Sequence, residues 1–218
     1  MSLFDRAGNF AKGSRLLFVV FLIMVLLEPV CILGGAPASS NTNELRPPRG
    51  ARIAIVVFED LACPGCASSY DDLDKAARDY HVPLVHVEYP LPAHPWAKQA
   101  SILARFFDSK SLVLGRQFRK FIFSQQASIG PHTLRSVAEH FAAAHNIQLP
   151  FVIDPDKQFE QAVQSDIELA QRIGVQQTPA VYVVQRGASP PVEVNDAQAL
   201  EKLLRRLSKG QKLRTAGL

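Results

Sequence analysis

The sequence predicts an α/β domain in which a helical insertion separates a βαβ half from a ββα half. Three observations support this fold class. A buried strand pattern at 52–58 leads directly into Cys63-Pro64-Gly65-Cys66, residues 96–173 follow a helical pattern, and strand patterns return over 180–194. With 47% hydrophobic and 20% charged residues, the chain can build a substantial core, which excludes a wholly disordered chain.

Residues 1–38 have the composition of an export signal. Basic residues precede an uncharged apolar run at 16–27, and Ala36-Pro37-Ala38 supplies a small-residue cleavage site. A membrane-spanning helix needs about 20 apolar residues, so the run is short for a permanent anchor. We therefore expect a cleaved signal peptide or, as the alternative, a signal anchor at 16–33. Either one places the domain in the periplasm or another extracytoplasmic compartment.

The positive charge of the chain is concentrated near its C-terminus. Residues 201–218 carry an excess of five positive charges, more than the +4 of the whole chain. Such a tail more often solubilises the end of a helix than binds phosphate, so no nucleic-acid partner is expected. The predicted domain spans 51–208. A polar linker at 39–50 precedes it, and a basic tail at 209–218 follows it.

The first half of the predicted domain alternates strand, helix and strand. After the strand at 52–58, apolar residues at steps of three and four predict an amphipathic helix that opens at the two cysteines: Tyr70, Leu73, Ala77 and Tyr80. Residues 83–89 predict a second strand. Three prolines then interrupt the chain before the insertion begins near Trp96.

The insertion and the second half of the domain follow. Four apolar stripes predict helices within 96–173, and Asp154-Pro155 is expected to supply the N-cap and first-turn proline of the last one. Strand patterns at 180–184 and 191–194 flank a hairpin turn. A leucine stripe at 200–207 predicts the closing helix.

Cys63 and Cys66 are the only cysteines that remain once residues 1–38 are removed. In an exported protein disulfides persist, so the pair forms a closed couple. Cys63 is expected at the first turn of a helix, where unpaired N–H groups and the helix dipole favour a thiolate. Cys66 is expected to lie deeper, within reach of Cys63. The exposed sulfur then meets the other protein, and the inner sulfur resolves the mixed disulfide.

Other interpretations of the cysteine pair are less favoured. Tetrahedral zinc needs four ligands, but the sequence has no second cysteine pair, and its six histidines show no metal-ligand spacing. A purely structural disulfide across so small a ring removes little entropy from the unfolded chain. We therefore expect redox chemistry with no metal and no other cofactor.

The sequence resembles the thioredoxin-fold disulfide oxidoreductases of the DsbA type, which are found in the bacterial periplasm. The likeness rests on residues 58–66 after a strand, residues 89–97, the helical insertion, and residues 166–184 with Thr178-Pro179. It implies a thioredoxin-like fold for this chain. It also implies a cis peptide bond before Pro179 that packs against the disulfide, which an X-Pro bond permits.

The resemblance assigns roles to six residues. The catalytic candidates are Cys63, Cys66 and Pro179, and the candidates for substrate binding are Thr178, Pro64 and Gly65. Backbone groups beside the proline are expected to pair with an extended substrate segment, as an added strand does.

A buried acid, found in many thioredoxin-fold proteins six positions before the first cysteine, is replaced here by Val57. Glu59 and Asp60 are the candidate proton-transfer groups in its place. The alternative is that they form a polar pair at the strand end or cap the helix. His94, which adjoins Pro95, is interpreted as a loop residue rather than a site residue.

The expected function is that of an exported dithiol oxidase. It donates the Cys63–Cys66 disulfide to reduced exported proteins, and the resemblance implies a quinone-linked membrane partner that reoxidises it. A reductase or isomerase of the same fold is one alternative, because Pro64-Gly65 brings no charge that would fix the redox potential. A non-catalytic thioredoxin-like module that binds a partner or delivers a metal is another. The short segment at 39–50 leaves no room for a dimerisation domain, which favours an oxidase over an isomerase.

Overall fold

The structure of this chain is a computed structural model that describes residues 42–187 and 190–215. The predicted export signal at 1–38, including the alternative anchor at 16–33, lies outside the described residues. Within the described ranges, no helix combines the length and apolar character needed to span a membrane.

A four-stranded mixed sheet forms the centre of the domain. Its order is β2-β1-β3-β4, with β1 parallel to β2 and antiparallel to β3, and β3 antiparallel to β4. The strands are β1 (Ile53–Glu59), β2 (Leu84–Glu88), β3 (Ala180–Gln185) and β4 (Val192–Val194). All seven residues of β1 are buried. The C-terminal end of this central strand, and the cysteines that follow it, therefore lie at an end of the sheet that is surrounded by protein.

Four of the described helices lie between β2 and β3, as the sequence predicts. The helices are α1 (Pro64–Asp79), α2 (Ala97–Lys110), α3 (Leu112–Gln125), α4 (Leu134–Ala144), α5 (Gln158–Ile173) and α6 (Ala197–Thr215). A short 3-10 helix, Gln126–Ser128, continues directly from α3. The predicted α/β fold class with a helical insertion is confirmed.

Alternate residues of β1 enter two different cores, because successive side chains of a strand point to opposite faces. Ile55 and Val57 pack in a cluster with side chains of α1 and α6. Val56 and Phe58 pack in a second cluster, which includes side chains of α5. The sheet is thus covered on both faces, which explains why the sequence of β1 is a nearly continuous apolar run.

A third core fills the helical insertion and reaches the cysteines. Phe107 lies at its centre, with ring centroids 4.4 Å from Phe118 and 5.0 Å from Phe141. The same cluster of buried residues includes Cys63 and Cys66. The insertion therefore supplies part of the apolar surroundings of the cysteine pair.

The start of α5 differs from the prediction. The helix begins at Gln158 rather than next to Asp154-Pro155, and Lys157 precedes it with φ 56°. Asp154 is therefore not the N-cap, because the chain makes a turn in which Lys157 N donates to Asp154 O at 3.2 Å. Its carboxylate still serves the helix, since Oδ2 accepts the N–H of Glu160 at 2.7 Å.

The predicted linker contacts the domain, and part of the predicted tail continues its last helix. In the predicted linker, Leu45 is buried with the core that contains α5. Arg186 donates to Pro48 O at 2.7 Å, which holds the same segment against the end of β3. At the other end, the helical backbone continues through part of the predicted basic tail, to Thr215.

Replacing Phe107 by Ala is expected to destabilise the domain by about 3–5 kcal/mol, because it removes a fully buried ring and leaves a cavity. The matched control is Phe151→Ala, since Phe151 is 92% exposed and its removal is expected to cost less than about 0.5 kcal/mol. Urea unfolding followed by circular dichroism measures both. Equal losses in the two variants would contradict the placement of the insertion core.

Candidate redox site

The cysteines lie where the central strand turns into a helix. After Glu59, Cys63 N donates to Asp60 O at 3.0 Å and closes a turn. Cys63 is the N-cap residue of α1, and Pro64 is the first residue of the helix, a position where a missing N–H costs nothing. The strand and the helix therefore fix the turn at both ends.

The two sulfurs are free thiols, and each contacts a backbone group. Cys63 Sγ donates to Thr178 O at 3.4 Å, and Cys66 Sγ accepts from Asp60 N at 3.4 Å. Cys63 is 9% exposed and Cys66 is 2% exposed. Cys63 is the outer sulfur as predicted, but it is less solvent-facing than expected because its thiol turns towards Thr178. No hydrogen bond links its side chain to the first turn of α1.

Burial makes the Cys66 thiol less acidic than an ordinary thiol. It raises the pKa of the Cys66 thiol, because removal from water penalises the charged form. The N–H of Asp60 opposes this effect only in part. Cys66 is therefore a neutral thiol at neutral pH when the pair is reduced.

The loop before β3 completes the site. The Thr178–Pro179 peptide bond is cis, which confirms what the resemblance implies. Gly65 faces this loop: a Cβ atom at Gly65 would lie 3.3 Å from Pro179 Cδ and 3.6 Å from Cys63 Sγ. The absence of a side chain at Gly65 thus lets the proline loop approach Cys63 closely. Pro64 and Gly65 are both exposed.

The carboxylate of Asp60 is buried and fully engaged. Its Oδ1 accepts from Ala62 N at 2.7 Å, and its Oδ2 accepts from Leu91 N at 2.7 Å. Oδ2 also lies 2.7 Å from His94 Nδ1. Asp60 therefore braces the turn and the loop that contains His94, rather than capping α1. His94 lies in a loop as predicted, but it belongs to the surroundings of the site.

Glu59 belongs to a buried cluster of charges around Arg119. Arg119 Nε lies 3.1 Å from Glu59 Oε1, and an Nη atom lies 2.6 Å from Glu88 Oε1. Both Nη atoms contact Asp108 at 2.8 Å. His86 Nδ1 lies 2.8 Å from Glu59 Oε1. The described hydrogen bonds link neither the Glu59 nor the Asp60 carboxylate to a sulfur.

The pKa values of the two glutamates in this charge cluster are shifted in opposite directions. Although burial opposes it, His86 and Arg119 hold the pKa of Glu59 below its usual value. Burial raises the pKa of Glu88 above its usual value, despite the contact with Arg119. Glu88 Oε2 has no hydrogen-bond partner among the described residues, which fits the higher pKa. Glu59 is therefore the firmly ionised member of the pair.

The charge cluster is the part of the site that the sequence interpretation missed. Arg119 directly follows Phe118 in an apolar stripe of α3, and Glu88 is the last residue of β2, where only the final two residues are buried. A charge among apolar positions is a weak signal for a buried ion pair, because such residues are almost never fully buried unless paired. The sequence gives no indication of which partners meet. Only the packing of α3 against the ends of β1 and β2 brings them together.

A cavity of about 230 Å³ opens beside the proline loop. It lies between α1, β4 and the start of α6. Its wall includes Pro179, with apolar side chains of Leu73, Val194 and Leu200. Within the part of the chain that the structure describes, no three His, Cys, Asp or Glu side chains are grouped as metal ligands.

Comparison with known proteins identifies the family. The family model described as Thioredoxin matches residues 49–203, whereas a search of curated proteins gives no match. The chain is similar in structure to the thiol-disulfide exchange protein alpha-DsbA2 of Wolbachia pipientis, with a TM-score of 0.61 and 17% identity over 74% of this chain and 85% of that one. For alpha-DsbA1 of the same organism the TM-score is 0.65, with 15% identity over 80% and 98%. For DsbA2 of Pseudomonas aeruginosa it is 0.56, with 19% identity over 73% and 90%.

A pair of thiols at a strand-to-helix turn, facing a cis-proline, defines a protein thiol:disulfide oxidoreductase. The chain belongs to the thioredoxin family, and its fold is that of the DsbA type. The resemblance predicted from the sequence is confirmed.

Replacing Arg119 by Met is expected to destabilise the domain by about 3–5 kcal/mol at pH 7, because Glu59, Glu88 and Asp108 then lack their shared cation. The loss should shrink below about pH 4. The stability that comes from the lowered pKa of Glu59 is present at neutral pH and is lost as the pH falls through that pKa. Denaturant unfolding at several pH values measures the difference.

Lys120→Met is the matched control for this variant. Lys120 adjoins Arg119 in α3, and its ion pair with Asp71 is exposed, so its loss is expected to cost less than about 1 kcal/mol. A loss in Arg119→Met that does not change with pH would contradict the assignment of the charge cluster.

Proposed function

We propose that this thiol:disulfide oxidoreductase is an exported dithiol oxidase that donates its Cys63–Cys66 disulfide to reduced polypeptides. The observation that carries the proposal is the placement of Cys63 Sγ, 3.4 Å from Thr178 O and beside the cis-proline. Cys66 lies behind it with a raised pKa. The greater exposure of Cys63 supports attack at the outer sulfur, and the burial of Cys66 withholds the inner sulfur from attack.

The reaction proceeds in two exchanges. A substrate thiolate attacks Cys63 Sγ, the Cys63–Cys66 bond breaks, and Cys66 leaves as a thiolate. A second thiolate of the substrate then attacks the substrate sulfur of the mixed disulfide and releases Cys63. The substrate loses two electrons and gains a disulfide, and the cysteine pair gains the two electrons.

The leaving Cys66 takes up a proton, because burial raises the pKa of its thiol. Glu59 and Asp60 are the candidate proton-transfer groups. Glu59 is ionised, and it acts on Cys66 through its negative charge, which contributes to the raised pKa of the Cys66 thiol. Both oxygens of Asp60 are already engaged with Ala62, Leu91 and His94. We assign Asp60 the role of holding Cys66 Sγ through its backbone N–H.

The proline loop is the proposed docking site for the substrate backbone. In the reduced pair, Thr178 O accepts the thiol hydrogen of Cys63. Oxidation removes that hydrogen, which leaves Thr178 O free to accept an N–H from an extended substrate segment, as in strand addition. Pro64 and Gly65 are exposed beside the same loop. The oxidised form, which reacts with the substrate, is thus the form in which Thr178 O is free to accept a hydrogen bond from it.

The proposed setting is the periplasm or another extracytoplasmic compartment. The composition of residues 1–38 supports export, and the chain is similar in structure to a periplasmic thioredoxin-like protein from Salmonella enterica. Reduced exported proteins are the proposed substrates. A quinone-linked membrane protein is the proposed partner that reoxidises the cysteine pair.

The test of the oxidase function is a reduced-peptide assay. The oxidised wild-type protein is expected to convert a peptide with two thiols into its disulfide, with one equivalent of peptide oxidised per protein. Cys63→Ser is expected to lose this activity, because no disulfide can form and no sulfur remains beside Thr178. Mass spectrometry of the acid-quenched mixture measures the peptide disulfide.

Full oxidase activity in Cys63→Ser would overturn the assignment. Loss of all exchange in the folded wild-type protein would instead support the non-catalytic binding module. Titration against glutathione decides the direction of exchange. We expect a potential nearer the oxidising extreme of the fold, about −120 mV, than the reducing extreme, about −270 mV. A value near the reducing extreme would favour the reductase alternative.

A further inference from the structure

We propose that Gln126 is a positioning residue through which the helical insertion holds the turn that carries Cys63. The proposal rests on the proposed function and adds a component to the same site. Gln126 Nε2 donates to Leu61 O at 2.9 Å and to Cys63 O at 3.1 Å. One side-chain amide thus binds two carbonyls of the redox turn, from more than sixty residues away in sequence.

The base of the Gln126 side chain is held in place by its own element. Gln126 is the first residue of the 3-10 helix after α3, and its backbone N–H donates to Phe123 O. Its carbonyl accepts from Ile129 N at 3.2 Å. Phe123 and Ile129 are both buried in the insertion core. The side chain therefore reaches the turn from a fixed part of the insertion.

The NH₂ group of a carboxamide can serve two carbonyl oxygens at once, since it has two N–H donors. One of these oxygens, Cys63 O, also accepts from Cys66 N at 3.1 Å and from Ala67 N at 3.2 Å. It is thus the acceptor that opens α1. Holding it fixes the peptide plane that follows Cys63, and with it the direction of the Cys63 side chain.

Two side chains from different parts of the domain satisfy the polar groups of the turn. Asp60, at the end of the central strand, accepts the N–H of Ala62. Gln126, from the insertion, donates to the carbonyls on both sides of Ala62. The turn is therefore held from the sheet side by an acceptor and from the insertion side by a donor. The brace from Gln126 keeps Cys63 Sγ in register with Thr178 O, where the substrate backbone docks.

Gln126→Met tests the proposal, because Met keeps the side-chain length and removes both donors. The rate of disulfide transfer is measured with two reductants. A dithiol peptide must dock on the proline loop, whereas dithiothreitol needs no docking. We expect the peptide rate to fall about tenfold, because attack requires a sulfur aligned with the docked chain. The rate with dithiothreitol should change less than about twofold, by the same reasoning.

Gln126→Glu is the second variant, and Gln125→Met and Gln125→Glu are the matched controls. Glu is isosteric with Gln but offers acceptors to the two carbonyls, so the peptide rate should fall at least as far as in Gln126→Met. Gln125 is exposed at the end of α3, and its variants should match the wild type with both reductants.

The ratio of the two rates separates positioning from a general structural role. An unchanged ratio in Gln126→Met, with or without a parallel fall in both rates, would overturn the proposal for Gln126 while leaving the oxidase function standing. A wild-type protein that is inert towards both reductants would instead defeat the proposed function. A fall in the ratio confined to the Gln126 variants is the supporting result.

Discussion

The turn from β1 into α1 must satisfy its backbone polar groups inside an apolar cluster, and this requirement organises the whole site. Asp60 N donates to Cys66 Sγ, and the Asp60 carboxylate accepts the N–H of Ala62. Gln126 donates to the carbonyls of Leu61 and Cys63. A buried polar group without a partner costs about 1–3 kcal/mol, so these contacts hold the turn in one conformation. The unequal surroundings of the two sulfurs follow from that conformation.

Beside this turn, the protein buries a group of charges that also needs mutual compensation. Arg119 is surrounded by Glu59, Glu88 and Asp108, and it lies in α3, while two of its partners end strands of the sheet. Ion pairs of this kind gain little net stability, because desolvation offsets the attraction. These ion pairs instead constrain the packing, because the insertion must pack on the sheet in the position that brings Arg119 to its three carboxylates. The same docking brings Gln126 to the redox turn, so the insertion acts as a structural part of the site.

Much of the fold was predictable because its signals are local. The uninterrupted apolar run of β1, the stripes of the insertion and the cysteines before an amphipathic helix each reflect a few neighbouring residues. The cis bond at Pro179 followed from the resemblance rather than from any local pattern. The start of α5 was predicted wrongly, because a turn separates Asp154 from the helix, and only its carboxylate reaches the first turn, at Glu160 N. Arg119 and Gln126 escaped prediction because Arg119 pairs with Glu88, 31 residues away in sequence, and Gln126 donates to Leu61, 65 residues away. No local spacing encodes such contacts.

The central claim is that one sulfur of the pair is available to another protein and the other is withheld, and competitive alkylation tests it most directly. The reduced protein is treated at pH 7 with limiting iodoacetamide, and peptide mass spectrometry then quantifies the label on each cysteine. The account predicts that Cys63 carries at least about ten times the label of Cys66, because burial hides Cys66 and raises the pKa of its thiol. Equal labelling of the two cysteines, or a preference for Cys66, would contradict it.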